Sequence, residues 1–263
     1  MRYLRLVKYF VLSSAQSDLA YRSNFFIGLL HSILNLIVGV LGLVVLFGQV
    51  ETVRGWSFAS TLALLGVYLT ISALRGLFIG PSLDALAGME GDVWSGRFDF
   101  TLLRPIDTQF FVSLRQWRLF GLIDLALGLG TLVVAVTQLG QTLPPAHLLE
   151  FLVALVAGVA IVYAVLLIFT ALVFWSPGLL FTWVFDAIFQ LARYPIGVYP
   201  GWLQLVLTWV IPVGVMTTIP AEALSGGLQP GVLLGSVILA AILLMGASLL
   251  FRWGLRRYKS ASS

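Results

Sequence analysis

No cysteine occurs in the sequence, which excludes disulfides and thiolate metal sites. Lysine is confined to Lys8 and Lys259, and neither follows a glycine. A phosphate-binding loop of the G-x-x-x-x-G-K-[ST] kind is therefore impossible in this chain. If ATP powers it, another subunit does the hydrolysis. The histidines, His31 and His147, fit no H-E-x-x-H zinc pattern, and there is no G-x-S-x-G nucleophile elbow. No metal site is expected, and the chain itself is expected not to be an enzyme. Charge is scarce throughout, at 10% of residues against about 25% in soluble chains. The first residues also lack the short apolar core and small-residue cleavage site of a secretory signal peptide.

What is abundant is apolar length. Hydrophobic residues make up 60% of the chain, and the mean hydropathy is +1.02. Several runs approach or exceed the roughly 20 residues that cross a bilayer as a helix. They are continuously apolar, unlike the alternating ~10-residue strands of a membrane barrel. The reading is one all-α polytopic membrane domain over residues 1–263. Its clear spans are roughly 25–48, 56–80, 119–138, 148–173 and 231–251, with Trp56 as an interfacial anchor. Ahead of them, residues 1–22 place Tyr3, Leu6, Val7, Phe10, Val11 and Ser14 on one helical face and Arg2, Arg5 and Lys8 on another. That is the pattern of a helix lying in the membrane interface among lipid headgroups. The net charge of +4 reflects basic residues flanking the spans and does not signal nucleic-acid binding.

Between 174 and 230 the count of crossings is ambiguous. Trp175-Ser176-Pro177-Gly178 reads as a tight turn. Residues 179–193 are apolar but contain Asp186, and Arg193-Tyr194-Pro195 and Tyr199-Pro200-Gly201 break the chain. Residues 202–222 are interrupted by Pro212 and Pro220. Arg2, Arg5, Lys8 and Arg22 at one terminus, and Arg252, Arg256, Arg257 and Lys259 at the other, predict that both termini are cytoplasmic. The number of crossings is then even, so the two stretches are not both complete spans. The favoured arrangement has six transmembrane helices, with 179–197 as the fifth crossing and 202–222 as a re-entrant hairpin on the outer side. The alternative makes 202–222 the fifth crossing and 179–193 a helix on the cytoplasmic side. The favoured model places thirteen of the fifteen Lys and Arg residues inside and leaves only Arg54 and Arg193 outside.

Few ionisable residues fall within the spans. Asp124 sits near Arg115 and Arg118 and reads as a local partner for them. Asp186 reads either as a packing residue or as a polar transport site, because a carboxylate in lipid is costly. Arg75 can snorkel to the interface, a reading favoured over pairing with Asp84. Gly76-x-x-x-Gly80 and Gly231-x-x-x-Gly235 match the small-xxx-small helix-packing pattern.

Much of the scarce charge gathers in residues 81–107, which hold Asp84, Glu90, Asp92, Arg97, Asp99, Arg104 and Asp107. The parity argument makes this segment cytoplasmic. Within it, Gly96-x-x-Asp99-x-x-Leu102-Leu103-Arg104-Pro105 resembles the G-x-x-D-x-x-L-L-R-P signature of one bacterial branch of type-2 ABC exporter permeases. Tyr21-Arg22-Ser23-Asn24-Phe25 resembles that branch's Y-R-x-N-F entry to span one. Tyr194-Pro195 and Pro212 sit where the branch carries prolines.

The resemblance covers essentially the whole chain. It implies a bacterial cytoplasmic-membrane permease, paired with a second related or identical permease and with a cytoplasmic ABC ATPase dimer. ATP and Mg would be bound by that ATPase. Residues 81–107 would form the coupling helix in a groove of the ATPase, with Gly96, Arg97, Phe98, Asp99, Leu102, Leu103, Arg104 and Pro105 at the contact. Such an element is expected to be a stiff helix, with Phe98, Phe100, Leu102 and Leu103 offering apolar contacts. Lipid-like, peptide or drug-like cargo is expected, because the spans offer few charges. The competing expectation is a proton-coupled secondary transporter that uses Asp186. A membrane enzyme or assembly scaffold is a third reading, which the missing catalytic constellation disfavours.

Overall fold

The computed structural model describes residues 2–20, 22–140, 144–178, 182–226 and 228–258, without the side chains of residues 2, 22 and 23. Among the described residues five helices are long and apolar enough to cross a membrane, or six if one bent pair counts as a span, and the chain is a multi-pass all-α membrane protein. Helix α1 (Arg2–Ala20) precedes the first span, α2 (Arg22–Phe47). Helix α3 (Phe58–Asp84) follows, starting on a capping box between Ser57 and Ser60 and passing through a π-turn at Arg75–Ile79. Two short helices, α4 (Phe98–Leu102) and α5 (Thr108–Leu114), lie between α3 and the span α6 (Gly121–Leu139). Helix α7 (Pro145–Leu172) is the fourth long span. After it come the short α8 (Thr182–Phe189), the bent pair α9 (Gly201–Val210) and α10 (Val213–Ser225), and the last span, α11 (Pro230–Arg257).

The core is built on α3, which packs along α6 and also meets α7 and α10. Hydroxyls within these apolar helices are satisfied at home. Thr70, Thr131 and Thr170 each donate to the carbonyl one turn earlier, at 2.8 Å. No water is available at that depth to do the same.

The ends of the bundle can be told apart by contact. The near end carries residues 85–118, and the far end carries the α2–α3 loop with Arg54. Asp186 in α8 pairs with Arg75 near the near end of α3 at 2.6 Å, while Gly197 lies against the Arg54 side chain at the far end. Residues 182–199 therefore run from the level of Arg75 to the far end, helical over Thr182–Arg193, broken at Tyr194–Pro195 and ending in a 3-10 turn at Ile196–Val198. Tyr194 is extended (φ −120°, ψ 151°), as the residue before a proline prefers. The start of the expected 179–197 crossing, residues 179–181, lies outside the described residues.

Helix α11 ends against Phe98 at the near end. Its 28 residues rise about 42 Å, so Pro230 starts at the far end. The chain between 199 and 230 thus leaves and returns at one side. Its two helices bend by 91° at Ile211–Pro212, the geometry of a broken span or a re-entrant loop.

Two sequence expectations need correction. Arg193 is not outside. Its Nη2 donates to Asn35 Oδ1 at 2.7 Å, halfway along α2, and its guanidinium lies 5.0 Å from the centre of the Tyr68 ring. Arg54 alone remains at the far end among the described Lys and Arg side chains. The glycine pairs also do not mark close helix contacts, since a Cβ on Gly76, Gly231 or Gly235 would meet nothing within 4 Å. The close approaches fall at Gly128, 2.7 Å from the Thr70 nitrogen, and at Gly158, 2.5 Å from the Met216 carbonyl oxygen, measured from the Cβ that each lacks. Replacing Gly158 with Ala should force α10 off α7 and cost about 1–3 kcal/mol. Gly235→Ala should shift stability by no more than about 0.5 kcal/mol. Thermal melting of the two variants in detergent checks this, and equal melting would rule out the α7–α10 contact.

Candidate functional site

Residues 85–118 form a compact cap on the near end, and the local sequence explains its shape. Past Asp84 the chain leaves the helix and folds back, with Asp92 N–H donating to the Ala85 carbonyl at 3.0 Å. Gly96 takes a left-handed conformation (φ +74°) that any side chain would strain. The turn it permits lets Phe98 N–H donate to the Asp92 carbonyl at 3.0 Å and aims Phe98 inward. Helix α4 then has two faces. Phe98 and Thr101, three residues apart, are buried, while Phe100 and Leu103 are 69% and 80% exposed.

Asp92 clamps the cap. It accepts from Arg97 Nε at 3.0 Å and pairs with Arg115, and both the Asp92 and Arg115 side chains are largely shielded. Arg97 Nη2 also donates to the Glu90 carbonyl at 2.7 Å. Arg104 leans over the Phe111 ring, 4.7 Å from its centre. Asp107 accepts from Phe110 N–H at 2.8 Å and so starts α5.

The cap touches each neighbouring helix end. Arg118 N–H donates to the Leu77 carbonyl of α3 at 2.8 Å, and Gln116 exchanges two hydrogen bonds with Ser82. Ser113 meets the Tyr163 hydroxyl of α7 at 2.8 Å, and Gln109 donates to Ser248 of α11 at 3.0 Å. Phe98 packs against Phe174 and Tyr258, with ring centres 5.4 and 5.1 Å away. Burial, together with the Asp99 carboxylate beside it, pushes the Tyr258 hydroxyl up to about 12.

Helix α1 lies across the same cap. Ser14 Oγ accepts from Trp117 N–H at 3.1 Å and Asp18 from Leu119 N–H at 2.8 Å. Tyr3 and Phe10 meet Phe110 and Phe111 edge to face. The face expected from the sequence is therefore the one used, and it covers protein. Arg5 and Lys8 are exposed on the other side, while the side chain of Arg2 lies outside those described.

Of the residues singled out in the sequence, Arg97, Leu102, Leu103, Arg104 and Pro105 are exposed, and Gly96 and Asp99 are half-buried. Phe98 is fully buried and faces the body of the protein, so it anchors the cap and offers nothing to an outside partner. The expected single stiff helix is absent: past the end of α3 the segment is an irregular coil carrying only the five-residue α4, and the seven-residue α5 starts just beyond it. Sequence reasoning missed exposed Met89 and Trp94 beside this surface and missed the Asp92–Arg115 pair. The opposite charges of Asp92 and Arg115 were visible, but nothing in their spacing foretold the contact.

The intramembrane acids also have definite places. Asp186 is bound by Arg75, which also lies 5.5 Å from the centre of the Phe185 ring. Asp124 does not meet Arg115, which Asp92 occupies. It lines a cavity of about 90 Å³ with His31, Ser32, Asn35 and Ser72. Among the described residues no group of three or more His, Asp or Glu side chains comes together as a metal site.

A family model described as ABC-2 family transporter protein matches residues 33–262. No curated protein and no solved structure matches the chain.

The clamp and the aromatic anchor predict how the cap fails. Asp92→Ala leaves the shielded Arg115 without its counter-charge and should cost about 3 kcal/mol. Trypsin should then cut faster at Arg97, which precedes Phe98, and an unchanged digestion rate there would show that the clamp holds nothing. Tyr258 is held neutral in the fold and titrates above its ordinary value of 10.0. Its contribution is full below pH 10 and is lost as pH rises from there through about 12. Tyr258→Phe should flatten the loss of melting temperature over that range.

Proposed function

The chain belongs to the ABC-2 transporter family as a permease component of an ABC transporter, and from that premise we propose that it is the transmembrane half of an ATP-driven exporter whose near-end cap is the contact for the ATPase. The observation that carries this is the two-faced cap. Phe100, Leu102, Leu103, Arg104 and Trp94 are turned out, whereas Phe98, Gln109, Ser113 and Arg118 are tied into three helix ends. A surface of this kind can receive a push and pass it on. Exposed aromatic and aliphatic groups supply contact energy, and Arg97 and Arg104 supply charge for register.

The basic residues at the near end support a reading in which that end faces the cytoplasm across a bacterial inner membrane, with both chain termini on that side. ATP, with Mg, is bound in a partner ATPase dimer and hydrolysed there, since this chain cannot build a phosphate loop. The pathway forms between this chain and a second permease, identical or related. Asp186 is engaged by Arg75, which gives it a role in tying α8 to α3 and weakens its case as a proton carrier.

Purification with the ATPase tests the reading. Phe100→Ala together with Leu103→Ala should weaken association about tenfold or more and uncouple ATP hydrolysis from transport. Neither side chain supports the fold, so melting should not move. If association and coupled transport both survive the double change, the cap is not the contact. Asp186→Asn should lower stability and weaken ATP-driven transport without abolishing it, and transport driven by a proton gradient without ATP would favour the competing mechanism.

A further inference from the structure

Two arginines lie within the thickness of the bundle, and they are treated differently. Arg75, towards the near end, has the Asp186 carboxylate at 2.6 Å. Arg193 stands midway and has no carboxylate within ion-pair distance among the described residues. Its Nη2 donates to the neutral amide oxygen of Asn35 at 2.7 Å, its plane lies over Tyr68, and its Nε has no acceptor. An unneutralised guanidinium at this depth is costly, and such residues mark pathways for substrates or ions. The guanidinium is a rigid fork matched to carboxylate and phosphate. It is also firmly mounted, because Tyr68 is only 3% exposed and Asn35 belongs to a long span. Asn35 in turn borders the small polar cavity of His31, Ser72 and Asp124, so the polar strip continues beside α2.

We propose that Arg193 selects cargo by charge, binding the phosphate or carboxylate group of an amphiphilic molecule in transit. This rests on the transport reading. It adds a cation to spans that were expected to offer few charges, since Arg193 was expected outside. Bilayer headgroups supply the same chemistry, but they sit at the membrane surfaces, away from the middle of α2.

The test is binding to the full chain in nanodiscs of phosphatidylcholine, read by tryptophan fluorescence. The probes are dodecyl phosphate, dodecanoate, dodecylammonium and dodecyl maltoside. The two anions should bind about tenfold more tightly than the others, the weight of a charge-assisted hydrogen bond. Arg193→Gln should abolish that preference and Arg193→Lys should keep part of it. Asn35→Asp supplies the missing carboxylate without removing the arginine, so it should abolish the preference while raising the melting temperature. Equal binding of all four probes overturns the inference, as does an anion preference that survives Arg193→Gln or Asn35→Asp. So does an Arg193→Gln change that separates this chain from its second permease and leaves the preference intact. Addition of phosphatidylglycerol should leave dodecyl phosphate affinity unchanged, and competition by that lipid would assign the site to bulk membrane. No nucleotide or ATPase is needed for these measurements. A chain that binds anions but never couples to an ATPase therefore counts against the transport reading alone.

Discussion

The burial of Phe98 is the contact on which the near end depends. Its ring lies between Phe174, just past the end of α7, and Tyr258, just past the end of α11, and Phe174 also packs on Phe251. Close-packed aromatic rings resist compression, so a displacement of α4 cannot be absorbed locally. The cap does not need to be one long helix in order to be stiff. Asp92 fixes the stretch before Phe98, and the Gln116–Ser82 and Arg118–Leu77 hydrogen bonds fix the stretch after it. Stiffness here comes from tertiary contacts at both ends of an irregular segment.

The membrane imposes a second constraint, that irregular backbone must be covered. The bent pair α9–α10 meets it by lying against protein. Helix α10 packs along both α7 and α3, and its approach is closest where Gly158 faces the Met216 carbonyl. The bend at Ile211–Pro212 follows from the proline, which removes an N–H and cannot continue the turn before it. Thr217, buried on α10, donates to the Ala192 carbonyl at 3.3 Å, where the α8 stretch stops being helical. Two broken elements thus satisfy one another.

The spans were legible in the sequence because a continuous apolar run of about 20 residues suits a bilayer-crossing helix and little else. Charge parity then left 179–197 and 202–222 as alternatives for a single crossing. Less could be read where one side chain decides the matter. Phe98 and Phe100 look equivalent in sequence, and only the left-handed turn at Gly96 sends one in and the other out. Glycine spacing misled for a related reason: Gly76 and Gly80 share a spacing with true packing motifs, but no helix approaches the Gly76 side. Arg193 was misplaced because a basic residue beside a proline break resembles a loop. In the fold the break occurs within the crossing, and Asn35 and Tyr68, remote in sequence, receive the charge.

These contacts also join into one path. The cap is bonded to Leu77 and Ser82 on α3. Slightly earlier on α3, in the π-turn, Arg75 grips Asp186 of α8. From Asp186 the short helix and its 3-10 turn lead to Arg193, which holds Asn35 of α2. A push on the exposed face of α4 would therefore reach α2 through covalent chain and two polar contacts, without crossing loosely packed lipid-facing surface. Energetic coupling needs such contiguous elements, but contiguity alone does not make a switch. The π-turn interrupts the regular α-helix at this point, and such turns recur at functional sites. Arg75 begins that turn, so the ion pair that neutralises the first intramembrane arginine also stands at the joint through which motion would arrive at the second.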